Sequence, residues 1–210
     1  MAKPFQLVAG YLALDFANTL DFRYDERRRI ELLPTYGRFL EFAAQAGLIS
    51  TYGKRKLLRS TAGAVAVRRL KQIVEIREAL YRMFLAAVNG KPPNPSCLRT
   101  YNGYLRDLYV AKVLMWRKSG FIRDSVDLTT TSLGPIWAIL ESAGALLTSP
   151  DRYHIRECDD ESCRWLFLDT SKNHSRRWCS MEICGSRSKA RRYYARRKVA
   201  GSSRPSQRAR

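Results

Sequence analysis

The chain has 210 residues, 45% of them hydrophobic, which is enough apolar material for a real core and a length that suits one domain with a smaller appendage. No stretch approaches the roughly 18 consecutive apolar residues of a membrane-spanning helix, so a soluble chain is the expectation. Lys and Arg number 38 against 19 acidic residues, a formal net charge of +19 that calls for a polyanionic counterpart. Nucleic acid, an anionic membrane surface and an acidic protein all satisfy that arithmetic.

The amino-terminal stretch MAKPFQLVAGYLALDF carries no apolar run of signal-peptide length before Asp15 and no small-residue cleavage pattern. A cytoplasmic protein with reduced thiols is the expectation. Further along, Thr35 caps a helix through Tyr36, Phe39, Leu40, Phe42 and Ala43, and Gly47 suits its end. The longest predicted helix runs from Val65 to Val88, with Leu70, Ile73, Leu80, Phe84 and Val88 recurring on one face. Glu75, Arg77 and Glu78 on that helix read as structural ion pairs. Asn89-Gly90-Lys91-Pro92-Pro93 breaks it, and Asn94-Pro95 is a cap and first-turn pair for a helix to about Tyr109. Lys112 to Val126 alternates around Ser119-Gly120 as a β-hairpin, and a last helix spans Leu133 to Leu147 before Ser149-Pro150 closes it. Residues 1–150 thus read as a helical domain with one small β-hairpin, and the apolar pattern stops at Pro150 to Tyr153.

Four of the five cysteines follow, Cys158, Cys163, Cys179 and Cys184, in the order C-x4-C-x15-C-x4-C. Two thiolate pairs at this spacing can converge on one Zn²⁺ at about 2.3 Å per sulfur in tetrahedral geometry. Arg164 to Leu168 reads as a short strand, Thr170 to Ser175 as a turn, and Arg176-Arg177-Trp178 as the return toward Cys179. So small a segment has little core, and a structural zinc would gather Trp165, Phe167, Trp178 and Ile183. Buried reduced thiols and an oxidisable pair are the other readings of the spacing. Four thiolates close the site, which leaves His154 and His174 as surface residues, Cys97 as a small buried one, and no position for catalytic zinc.

After Glu182 there is no acidic residue, while ten basic ones follow from Arg187 to Arg210. Ser186 is a favourable N-cap for a helix to about Lys198, on which Ala190, Tyr193 and Tyr194 share the face expected to pack on the zinc unit. Arg187, Arg191 and Lys198 flank that stripe, and Lys189, Arg192 and Arg196 form a second band on the far side. Arg176, Arg177 and Arg197 complete a set of nine cations suited to phosphate contact, although some would also balance the formal −2 of a zinc–tetrathiolate centre. Residues 199–210 lack core-forming side chains and are expected to be disordered. The fold class is therefore mainly α, with a carboxy-terminal treble-clef-like zinc finger of hairpin and helix over residues 151–198. No Ser/His/Asp or Cys/His constellation and no Gly-rich phosphate loop stands out, which argues against an enzyme.

These segments resemble a known family. Cys158 with Cys163-Arg-Trp-Leu-Phe-Leu-Asp-Thr-Ser, Arg176-Arg-Trp-Cys-Ser-Met and Cys184-Gly-Ser-Arg-Ser-Lys-Ala-Arg is similar to the CGNR zinc finger. Leu12-Ala-Leu-Asp-Phe-Ala-Asn-Thr-Leu20 and Ile76-Arg-Glu-Ala-Leu-Tyr81 resemble its companion, the ABATE domain. Ser186 stands where the family name implies Asn; both residues cap helices. The resemblance implies a bacterial, stress-responsive transcription regulator with a DNA-binding finger, and carries the zinc ligands onto Cys158, Cys163, Cys179 and Cys184. It also maps the amino-terminal signature onto Asp15, Asn18 and Thr19, which form either a ligand pocket or a cap and turn network. The reading is a zinc-binding, DNA-binding regulator whose helical domain senses an unidentified effector or forms a homodimer, with no membrane role. An RNA-binding protein and a zinc-finger module for an acidic protein partner are the alternatives.

Overall fold

A computed structural model describes residues 3–109, 114–117, 120–123 and 131–202. The helices are α1 (Leu12–Ala17), α2 (Tyr36–Gln45), α3 (Thr51–Ser60), α4 (Gly63–Val88), α5 (Pro95–Tyr109), α6 (Gly134–Thr148) and α7 (Ser186–Ser202). Short antiparallel pairs join β1 (Leu20–Asp21) to β2 (Ile30–Glu31), β3 (Leu114–Arg117) to β4 (Gly120–Arg123), and β5 (Ile155–Glu157) to β6 (Leu166–Leu168). The architecture is mainly α with a carboxy-terminal finger.

Local chemistry sets most boundaries. Thr35 Oγ1 accepts from the Arg38 amide at 3.1 Å and starts α2, and Gly47 at φ +74° lets the chain leave it. Ser50 does the same for α3 through the Gly53 amide. Asn94 Oδ1 accepts from the Ser96 amide at 2.9 Å, and Pro95 takes the first turn of α5, where its missing N–H is no loss.

The core is built around α1, α2, α4 and α6. Leu14 and Phe16 of α1, Phe39 and Phe42 of α2, Phe84 of α4 and Leu140 of α6 are all fully buried. Phe16 meets Phe42 with ring centroids 5.8 Å apart and Phe39 at 6.3 Å. Each such ring contributes on the order of 1.5–3 kcal/mol by burial. The ion pairs expected on α4 are present: Arg77, 2% exposed, holds Glu31 through Nη1 at 2.6 Å and Nη2 at 2.8 Å and Glu78 through Nε at 3.0 Å. Glu75 accepts from the Tyr104 hydroxyl at 3.3 Å instead.

Four expectations need correction. First, the strand read over Arg164 to Leu168 is confined to Leu166–Leu168, and its partner is β5, which precedes the first cysteine; 176–178, the return toward Cys179, form no strand. Second, Ser186 does not cap α7: it is itself helical at φ −64° and ψ −41°, and Ser180 caps a preceding π-type turn, Met181–Gly185, by accepting from the Ile183 amide at 3.3 Å. Third, α7 continues to Ser202, four residues into the segment expected to be disordered; residues 203–210 lie outside the described ones. Fourth, Tyr193 and Tyr194 are 55% and 67% exposed and do not pack on the finger. From Lys189 to Arg197 every described position of α7 is exposed, because the helix lacks an apolar stripe broad enough to bury.

The finger does not have a core of its own. Ile155, Leu166, Phe167 and Leu168 are buried in the same cluster as Leu14, Phe16 and Phe84. Asn18 and Leu166 exchange two hydrogen bonds, Leu168 N–H donates to Ala9 O at 2.8 Å, and the Tyr81 hydroxyl donates to Arg164 O at 3.2 Å.

Candidate metal centre and nucleic-acid interface

The first two cysteines sit on the loop between β5 and β6. Cys158 N–H donates to Trp165 O at 2.8 Å, and the Cys163 and Arg164 amides donate to Asp160 O at 2.8 and 3.1 Å, which curls the loop into a tight knuckle. The second pair sits at the turn that leads into α7, where the Cys184 and Gly185 amides donate to Ser180 O at 3.0 and 3.1 Å. The two jaws meet: Cys179 Sγ lies 3.6 Å from both Cys163 Sγ and Cys184 Sγ, and all four sulfurs lie within 4.8 Å of one another. None is in a disulfide, and all four are buried.

Zinc fits this donor set. Four sulfurs at about 2.3 Å from one tetrahedral ion stand about 3.8 Å apart (2.3 × 1.63), close to the distances found here. The Cys179 amide points at Cys158 Sγ at 3.5 Å, the kind of N–H donor that stabilises a metal thiolate. The sulfurs also act on one another. The thiols of Cys163, Cys179 and Cys184 hydrogen-bond to Cys158 and pull its pKa far down, while the partnership with Cys158 drives that of Cys163 up. Four thiolates packed this closely repel one another, and a dication at their centre removes that opposition. Zinc held by the four cysteines is structural, since no fifth position is left for water or substrate. His154 and His174 stay outside the cluster and stack on each other, centroids 3.7 Å apart and planes 11° off parallel, with His174 Nδ1 2.9 Å from Asp169 O. Cys97 is buried beside Ala79 and Met83, remote from the cluster.

Asp160 and Asp169 organise the loops on either side. Asp169, 1% exposed, accepts from the Ser171 amide and hydroxyl at 3.0 and 2.6 Å and from the Arg176 amide at 2.8 Å. Burial would raise its carboxyl, but these donors outweigh burial and hold it below the ordinary range. Asp160, fully buried, accepts from the Ser162 amide and hydroxyl and from Arg191 Nη1 at 3.2 Å, and Arg187 Nη1 lies 3.4 Å from its other oxygen. Arg187 also donates to Ser162 Oγ at 2.9 Å. The knuckle thus holds the first two turns of α7 through a carboxylate that these partners keep ionised against the effect of burial.

That anchor sorts the nine expected cations. Arg176 donates to the Trp178 and Cys179 carbonyls and braces the second jaw. Arg177 pairs with Asp159 at 2.6 Å and is 63% exposed at its side chain. Arg187 and Arg191 face the finger, and Arg197 donates to the Tyr193 hydroxyl at 3.3 Å. Lys189, Arg192 and Arg196 are exposed and without a protein partner among the described residues. At 100° per residue they lie about 150° around α7 from Arg187 and Arg191. Only the backbone of Lys198 is described.

Asp15, Asn18 and Thr19 form bonds within the fold in place of a pocket. Asn18 and Thr19 are each 2% exposed; Asn18 bonds Leu166, Thr19 Oγ1 donates to Phe16 O at 2.8 Å, and Asp15 Oδ1 accepts from the Ala9 amide at 2.9 Å. Burial pushes the Asp15 carboxyl up to about 6, against the lowering effect of that amide bond. Of the three, Asn18 holds the strand of the finger against the helical body, while Asp15 and Thr19 bond backbone groups of the body itself. Sequence reasoning missed this role because the partners of Asn18 are backbone groups 148 residues away.

Four buried sulfurs on a knuckle and a helix start define a treble-clef-like, four-cysteine zinc finger fused to a helical body. The chain belongs to the ABATE family, whose model, described as "Putative stress-induced transcription regulator", matches residues 10–150; the CGNR zinc finger model matches residues 154–197. No curated protein matches the chain. Among the described residues, no helix is long and apolar enough to cross a membrane.

Proposed function

We propose that this zinc-binding regulator contacts duplex DNA through α7. The carrying observation is the division of cations on that helix: Arg187 and Arg191 are held by buried Asp160, which leaves Lys189, Arg192 and Arg196 pointing away from the protein. Zinc fixes Cys179 and Cys184 at the foot of α7, so the metal sets the angle at which those three charges leave the surface. A helix with exposed cations and no apolar face gains little from the protein alone and much from a polyanion. Arg177, exposed beside the first knuckle, extends the same basic surface. The helical body acts as the sensing part and the finger as the output, in a binding protein rather than an enzyme.

The test is fluorescence anisotropy with labelled duplex DNA, RNA and heparin across a salt series. Duplex preference that persists as salt rises is expected. Replacing Lys189, Arg192 and Arg196 with Ala should flatten the slope of log K against log salt by about 2.7, at about 0.9 per lost phosphate contact, with zinc retained. Equal affinity for all three polymers, or an unchanged slope in the triple variant, would rule the reading out in favour of an RNA partner or an acidic protein.

A further inference from the structure

A second site lies in the helical body, away from the metal. The carboxy-terminal ends of α4 and α6, the start of α5 and the 3-10 turn Pro150–His154 enclose a cavity of about 520 Å³, within the ~300–1,000 Å³ range of small-molecule sites. Its inner surface is apolar: Met83 and Ala87 from α4, Leu98 and Tyr101 from α5, and Leu147 from α6. Tyr101 is fixed by donating to Leu140 O at 3.1 Å, and it fits only because residue 144 is glycine, where a Cβ would come within 2.5 Å of its hydroxyl. Leu98 and Tyr153, 38% and 66% exposed, both border the cavity, so apolar surface is left open to solvent at one place.

The rim is charged in one sense. Lys91 and Arg152 border the opening, and among the described residues no carboxylate does. Arg152 is already oriented, donating to Ser149 O at 3.0 Å and to the Tyr153 hydroxyl at 2.6 Å with its guanidinium 4.2 Å over that ring, while Lys91 is exposed without a protein partner among the described residues. We propose that this cavity binds a small amphipathic anion, its apolar body against Met83, Leu98 and Leu147 and its carboxylate or sulfonate at Lys91 and Arg152. The proposal gives the sensing role of the helical body a ligand class and rests on that reading. It also supplies a route to the finger. Arg152 and Tyr153 directly precede His154, whose carbonyl accepts from the Asp169 amide at 2.9 Å, and Ile155, which pairs with Leu168 in the finger.

Decanoate and its uncharged counterpart 1-decanol, each titrated into the zinc-loaded full chain by calorimetry without nucleic acid, test the site. A failure here is then distinct from a failure to bind DNA. One saturable decanoate site is expected, with decanol at least tenfold weaker. Lys91→Glu should weaken decanoate at least tenfold and leave decanol unchanged, and Ala87→Trp should abolish both. Lys91 is on the surface, so its variant remains informative if Ala87→Trp does not fold. Absence of saturable binding, equal affinity for acid and alcohol, or decanoate binding indifferent to Lys91→Glu would overturn the proposal. So would loss of a self-associated form in Ala87→Trp with no probe bound by the parent, which would assign the cavity to a second copy.

Discussion

Asn18 donates through Nδ2 to Leu166 O at 2.8 Å and accepts from Leu166 N–H at 2.9 Å, so one side chain of the helical body replaces a missing β-strand neighbour for the finger. Both groups are buried, and the backbone of β6 has no water to turn to. Asn18→Leu would leave an amide and a carbonyl unsatisfied at about 1–3 kcal/mol each, so a loss of about 2–6 kcal/mol is expected in urea unfolding. Zinc stoichiometry should stay at one, since no cysteine is touched. A change below 1 kcal/mol would show that β6 is held by burial alone.

Asp15 gives a pH dependence whose sign is fixed by its raised carboxyl. The folded chain keeps its proton up to about pH 6, whereas the unfolded chain releases it near the ordinary value of 3.8. Between these values the folded state binds more protons, so this group's contribution to stability falls as pH rises through the window and stays low above it. Asp15→Asn keeps an acceptor for the Ala9 amide and removes the charge. Its melting temperature should exceed the parent's at pH 7.5, by the equivalent of about 1–3 kcal/mol, with the gap closing toward pH 4.5. A constant gap across that range would contradict the assignment.

Arg77 is the largest fully buried side chain among the described residues, and its pairing with Glu31 ties α4 to β2. Removing one partner from a buried network costs about 3–5 kcal/mol when the others are left charged and unpaired; Arg77→Ala should approach the lower figure because Glu31 is 35% exposed and Glu78 keeps its pair with Arg23. Chemical denaturation checks this. Arg77→Met, which preserves volume but not charge, should do no better.

Much of the helical body can be read locally. Thr35, Gly47 and the Asn94-Pro95 pair mark their boundaries through bonds made within a few residues, and the 3.6-residue pattern of α4 is long enough to be distinctive. The short α1 is not legible: its six residues begin at Leu12, Tyr11 before them offers no side-chain cap, and what makes it helical is its place at the centre of the core. The finger's strand pairing was hidden for a related reason. Ile155-Arg156-Glu157 has no strand signature of its own and becomes β5 only because the knuckle returns Leu166 to Leu168 alongside it. On α7 the spacing of Tyr193 and Tyr194 suggested an apolar contact, whereas the helix is secured by charge at Asp160, a residue whose importance no periodicity reveals. The four cysteines were legible because ligand spacing is a local property and their chemistry admits few alternatives.

The shared core changes what loss of metal should do. With Ile155, Leu166, Phe167 and Leu168 buried among helical-body residues, the finger cannot melt as an isolated unit. Cys179→Ser is expected to lower a single unfolding transition in differential scanning calorimetry, not to split it in two. Binding of structural zinc is worth about 10–16 kcal/mol in small finger peptides, so even partial loss should be large. Two separate transitions would show that the shared cluster contributes little to cooperativity.

The most direct test of the whole account is duplex-DNA affinity measured while zinc is withdrawn by a chelator and then restored. One zinc per chain is expected, with affinity falling in step with bound metal and returning when zinc is added back, because the ion fixes the foot of α7. Stripped protein that binds duplex DNA as tightly as the loaded form would contradict it.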